Sequence, residues 1–395
     1  MTMMSLLFAN AGTPLMWAEA FHLLVGNALI GLLEGWLLTR LYNLSAGRTI
    51  PLVIVGNYFS MFIGQWSLKW LASRSEQVTM LNLTWFLTLT ALTFFVATIV
   101  LELPFVVAAL WKNDRRIRRS LIGSLVAQTV SYGLLFAYYW NASATSILTQ
   151  ANIQRDLAFA ADPSHSVLFV GATDRHLYEV KLDGSELRSI DELGRATEYA
   201  RLFLRQSSDG ESLDLCLADR DANDRPAQVQ TLVVRVAVNL PFESSSRFGD
   251  DCDSWWAFGA ALDLRSSDER SYEVETGFWP VEGIVVRPES AGTPLRLALE
   301  TPFVAWYARC ATALPGNQVV FQLNDQIVLL DIESRKLGLI ARGYGPLVIP
   351  AANRCDSTKA ARRKSIPHDK ISATRVGASQ NLIAGRFPSL HNAPG

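Results

Sequence analysis

Residues Leu83–Trp111 read LTWFLTLTALTFFVATIVLELPFVVAALW, and the next eight, Lys112 to Arg119, read KNDRRIRR. The first stretch carries a single charge, Glu102, and is longer than the roughly 20 apolar residues that cross about 30 Å of hydrocarbon. The second packs five cations into a short link. Lys and Arg in short links stay on the cytoplasmic side, so the pair reads as a membrane-spanning helix that ends in the cytoplasm.

Three further segments repeat the apolar pattern: Met16–Thr39, Ile50–Trp70 and Leu121–Trp140. Aromatic residues cluster near the ends of the four, among them Trp17, Tyr42, Trp70, Trp85, Trp111, Tyr138, Tyr139 and Trp140. Such rings favour the headgroup level. Phe8 to Ala11 resembles a cleavage site, but no basic region precedes it, so a cleaved leader is not expected. The five-cation link fixes the rest of the topology: Arg40 and Arg48 fall inside, and the N-terminus and everything from Asn141 onward fall outside. Lys69 and Arg74 then lie outside, against the rule, with Glu76 beside them. The expected address is the cell (inner) membrane, with the C-terminal part in the periplasm if the source is a bacterium.

Charge deep in a membrane is costly and usually faces the inside of a bundle. At 100° per residue, Glu19, His22, Gly26, Asn27, Ile30 and Glu34 share one face of the first span. Gly56, Asn57, Ser60 and Gly64 repeat the polar, small pattern on the second. Glu34 and Glu102 both fall in the cytoplasmic half, so His22, Asn27, Glu34, Asn57 and Glu102 form the candidate intramembrane polar site. It reads either as a proton or cation site or as interhelical hydrogen bonding. Pro104, two residues past Glu102, removes a backbone bond and is expected to bend the third helix. No span carries HExxH.

The chain then changes solvent. Hydrophobic residues make up 49% and the net charge is −1, but the charged residues concentrate after residue 150. A neutral balance offers no basic field for nucleic acid. Three domains are expected: a four-helix transmembrane domain at 1–145, an extracytoplasmic β-rich domain at 150–350, and a basic, disordered tail at 351–395. In the middle domain, Val167–Val170, His176–Leu182 and Glu186–Ile190 read as strands, with Asp183-Gly184 as a hairpin turn. Gln318–Leu323, Gln326–Ile332 and Lys336–Ile340 read the same way. Between them come Leu213–Leu217, Gln230–Val236, Trp255–Phe258, Gly283–Val286 and Leu295–Leu299.

Leu177–Ile190 aligns without a gap over Ile327–Ile340, an offset of 150 residues. Each unit reads strand, strand, polar turn, strand. This resembles the blade of a β-propeller, and about five blades of roughly 40 residues would fit the length. The resemblance implies a rigid disc for binding and carries over no catalytic residue. A β-sandwich is the alternative fold.

The four cysteines, Cys216, Cys252, Cys310 and Cys355, all follow the apolar segments. They read either as two disulfides outside the cytoplasm or as free buried thiols. Asp219, Asp221 and Asp224, and further on Asp250, Asp251 and Asp253, read as solvated loops rather than cation sites. No GxSxG, P-loop or CxxC is present, so no catalytic residue, cofactor or metal is expected. Three functions compete. The first is a membrane-anchored module binding a protein, glycan or envelope component; a protein partner or a homo-oligomer is expected for the chain. The second is a subunit of a transport or sensory complex built on Glu34 and Glu102. The third is an enzyme on the face of the disc.

Overall fold

The computed structural model describes residues 13–72, 77–193, 197, 200–206, 212–219, 228–238, 262–265, 269–290 and 292–350. Four helices come first: α1 (Pro14–Tyr42), α2 (Ala46–Ala72), α3 (Leu83–Ala109) and α4 (Arg116–Ala142). All four are long and apolar enough to cross a membrane. Thr13 starts α1 by accepting the Met16 N–H at 3.2 Å, with Pro14 in the first position where its missing N–H costs nothing. Asn43, in the left-handed conformation, ends it. Inside α1, His22–Gly26 forms one π-helical turn.

The bundle is inside out for water. Trp66, Leu24 and Phe62 are 79%, 75% and 68% exposed, while Glu34, Asn57, Glu102 and Gln128 are buried. Apolar side chains outward and polar ones inward is the arrangement that hydrocarbon favours. Close approach of α1 and α2 depends on glycine. A Cβ on Gly31 would lie 2.7 Å from Ile54 Cα, and one on Gly35 would lie 2.9 Å from Ile50 Cα.

The basic link is shorter than the sequence reading has it. Arg115 takes a left-handed conformation, and Arg116, Arg118 and Arg119 belong to the first turns of α4. A helix of 27 residues is about 40 Å long, so it outruns the hydrocarbon and carries these cations at its end. The third span stays one helix through Pro104.

A short helix α5 (Ser146–Gln150) leads into the strands. They are β1 (Asn152–Gln154), β2 (Ser166–Gly171), β3 (His176–Lys181), β4 (Arg188–Glu192), β5 (Arg201–Gln206), β6 (Ser212–Asp219), β7 (Gln228–Val238), β8 (Leu262–Asp263) and β9 (Tyr272–Thr276). Then follow β10 (Ile284–Pro288), β11 (Leu295–Leu297), β12 (Leu299–Glu300), β13 (Ala305–Trp306), β14 (Ala308–Leu314), β15 (Gln318–Leu323), β16 (Gln326–Asp331) and β17 (Lys336–Ile349). The largest sheet runs β4-β3-β2-β17-β16-β15-β14-β8, with β1 parallel to β17; the others are β5-β6-β7, β9-β10-β11 and β12-β13.

β17 belongs to two layers. Its first half pairs with β16 through Arg342, and from Gly343 it pairs with β2. Gly345, with φ +59, sits in the irregular stretch between Tyr344 and Leu347 where the register shifts. The core shows the same step. Leu168 and Val170 of β2 point into one core with Leu202 and Leu215, while Val167 and Phe169 point into another with Val320 and Leu329. Val328 and Leu330 of β16 turn to a third core, shared with Val274, Ile284 and Trp306. Covered on both faces, β2 and β16 read as unbroken apolar runs in the sequence, and β15 is broken only by Gln322.

The expected tail at 351–395, the Trp255–Phe258 strand, Asp221, Asp224, Asp250, Asp251, Asp253, Cys252, Cys355, Arg74 and Glu76 lie outside the described residues.

Candidate functional site

Glu34 on α1 and Glu102 on α3 converge inside the bundle, 1% and 3% exposed. Two residues one turn apart on α2 hold them. Asn57 Nδ2 donates to Glu34 Oε2 at 2.8 Å, and Ser60 Oγ donates to Glu102 Oε1 at 2.6 Å. From α4, Gln128 Nε2 donates to Glu102 Oε2 at 2.6 Å. Glu34 Oε1 is buried without a hydrogen bond, with the Ser131 hydroxyl beside it. Among the described residues no cation pairs with either carboxyl, and no group of three or more His, Cys, Asp or Glu stands ready for a metal. The chemistry on offer is that of two carboxyl groups in amide and hydroxyl surroundings.

One turn towards the basic link, the polar layer gives way to an apolar one. Leu38 follows Glu34, Val106 follows Glu102 and Val53 precedes Asn57 by one turn each, and Leu110 completes the cluster. On α4 the same level carries Ser124, and Ser120 lies a turn further. Both hydroxyls are buried without a partner. On the other side of the carboxyls, Thr98 and Tyr132 hydroxyls bond each other at 2.9 Å, and Phe95 meets the Tyr132 ring edge-on.

Three of the five sequence candidates, Glu34, Asn57 and Glu102, therefore meet. His22 does not: its Nδ1 lies 2.6 Å from the Tyr139 hydroxyl, and 12 residues along α1 put it about 18 Å from Glu34. Asn27 bonds the His22 carbonyl at 3.1 Å, at the π-helical turn. The turn shifts the residues after it relative to those before, so one helical wheel does not describe both ends. The fourth helix is what the sequence reading missed. Ser120, Ser124, Gln128 and Ser131 recur at helical spacing and are all buried, a signal present in the sequence.

The β region is seated on one end of the bundle. Val78, Met80 and Leu83, from the link between α2 and α3, share a core with Phe321, Leu330 and Trp306. Met80 N–H donates to Gln326 Oε1 at 2.8 Å, and Ile147 N–H to the Ala298 carbonyl at 3.2 Å. Ala144 and Glu300 exchange backbone bonds, and Phe94 stacks on Phe303 at 5.6 Å. The start of α1 joins them, because the Thr13 side chain bonds Glu300. Glu300 is buried with Oε2 unpartnered, and burial pushes its carboxyl above the ordinary Glu range. The β region, the α2–α3 link and the start of α1 thus occupy one end of the helices, and the basic link occupies the other.

Among the described residues Cys216 and Cys310 form no disulfide, and burial pushes the Cys216 thiol up. No protein-family model matches this sequence, and no curated protein resembles it.

Proposed function

We propose that this chain is a membrane-anchored binding protein whose helical bundle displays a β-propeller-like module outside the cytoplasm, for a protein or envelope ligand. The observation that carries the reading is the path of β17. The strand pairs with β16 through its first half and with β2 through its second, so it joins the β14–β16 segment of the largest sheet to the β2–β4 segment. Such a step, with sheets stacked face to face over successive cores, supports a blade-like repeat better than a two-layered sandwich. Seating at the end away from Lys112–Arg119 supports display outside. Among the described residues β4 pairs on one side only, and Ile190 within it and Leu187 just before it stand exposed. A photo-crosslinking residue at Leu187 in intact cells should capture one discrete partner. Capture of nothing beyond what a lipid-facing position such as Phe62 captures would remove this reading.

A second reading, a transport or sensory subunit, is favoured by one observation: Glu34 and Glu102 converge in a layer closed off from lipid. Its test is Glu34→Gln combined with Glu102→Gln. Loss of the cellular phenotype at normal yield and folding supports it, and an unchanged phenotype removes it.

A further inference from the structure

We infer that the Glu34–Glu102 pair binds one exchangeable proton, and that this proton arrives from the basic-link end through water held by Ser124 and Ser120. The inference deepens the second reading and rests on the carboxyl pair alone, not on any cellular role for it. Buried polar atoms in folded proteins nearly always have a partner, and ordered water supplies it where protein atoms do not. Two buried hydroxyls here lack one: Ser124 Oγ and Ser120 Oγ. Ser120, Ser124 and Gln128 succeed one another by single turns, about 6 Å apart, and Gln128 is bonded to Glu102. Arg116, at the end of the helix, is one turn beyond Ser120. The hydroxyls therefore mark a file from the basic link to the carboxyls along α4, beside the apolar cluster that α1, α2 and α3 contribute.

Towards the β region lies the Thr98–Tyr132 pair. Thr98 and Tyr132 satisfy each other, and Phe95 covers the ring. The groups facing the pair are Asn57 and Ser60 from α2, Thr98 from α3, and Gln128, Ser131 and Tyr132 from α4. Tyr132 is the one titratable group among them, and it adds no positive charge. Two carboxylates side by side without a cation repel and are poorly solvated, so one proton is the smallest species that relieves both costs.

The test uses the full chain in sealed membrane vesicles. Dicyclohexylcarbodiimide reacts with protonated carboxyl groups in apolar surroundings, and peptide mass spectrometry locates the product. Modification is expected at Glu34 or Glu102, falling about tenfold for each pH unit above the titration point and unchanged by sodium. Absence of modification at every pH, or protection by sodium at fixed pH, overturns the proton site. For the route, Ser124→Cys in a chain with its native cysteines changed to Ser should react with an impermeant thiol reagent from the basic-link side only. Reaction from the β side, or from neither side, overturns the route; Ser120→Cys serves the same purpose if the first variant does not fold. Carbodiimide labelling with an unchanged phenotype in the Glu34→Gln, Glu102→Gln chain would leave the site standing and remove the transport reading.

Discussion

Asn57 Nδ2 lies 2.8 Å from Glu34 Oε2, a buried side-chain bond that ties α2 to α1 inside the bundle. Its loss leaves a buried carboxyl oxygen without a donor. Asn57→Ala should lower stability by about 1–3 kcal/mol, read as thermal unfolding in mild detergent. Asn57→Leu with Glu34→Leu should cost less than the sum of the single changes, because both polar partners leave together. Simple additivity would mean that the bond does not couple the two helices.

The α1–α2 contact makes a steric prediction. Gly31→Ala places a methyl 2.7 Å from Ile54 Cα, which is backbone and cannot swing aside. This single methyl should cost about 1–3 kcal/mol and loosen the pair, seen as a fall in melting temperature. Gly47→Ala, where a Cβ meets nothing within 4 Å, is the matched control and should be neutral or slightly stabilising. Equal behaviour of the two variants would contradict the packing.

Gln326 is fully buried, and its Oε1 accepts the Met80 N–H across the seam between helices and strands. Gln326→Ala should strand that N–H and open a small cavity beneath the α2–α3 link. The expected result is a loss of about 2–4 kcal/mol, with faster protease cleavage in the link around residues 77–82. Wild-type protease resistance would show that the seam does not depend on this bond.

Glu300 should make the seam sensitive to pH. Its carboxyl is raised above the ordinary value by burial, although the Thr13 bond works the other way. The sign follows from linkage. The folded form holds the proton more tightly than the unfolded chain, so the contribution is full below the ordinary Glu value of about 4.3 and is lost as pH rises through the folded value. Glu300→Gln should flatten this part of the melting temperature–pH curve and raise stability near neutral pH. A curve as steep as that of the wild type would assign the dependence elsewhere.

Much of this was legible in order, and the failures have physical causes. Leu83–Ala109 could be read directly, because hydrocarbon demands length and apolarity and little else. The hairpins β3–β4 and β16–β17 were legible from Asp183-Gly184 and from the gapless repeat. The full reach of β17 was not: Gly343, Gly345 and Pro346 look like a stop, yet the strand bends there and continues into the next sheet. Glu34, Asn57 and Glu102 were found because charge and amide are rare in spans. Gln128, Ser124 and Ser120 were passed over because serine is common, and only its helical spacing marks the buried face. His22 lies apart from Glu34 because a shared helical face says nothing of distance along the axis, and 12 residues span about 18 Å.

The proposed function requires one asymmetry: the β region, at one end of the bundle, outside the cytoplasm and the basic link, at the other end, inside. Ser290→Cys in the β region and Asp114→Cys in the link, both at exposed positions, put a thiol at each end of a chain whose native cysteines are changed to Ser. Intact cells are treated with a membrane-impermeant maleimide, and lysed cells serve as the control for reactivity. The account predicts labelling of Ser290→Cys in intact cells and of Asp114→Cys only after lysis. Labelling of Asp114→Cys in intact cells, with Ser290→Cys protected until lysis, would invert the topology and remove the proposal that the β module meets its ligand outside.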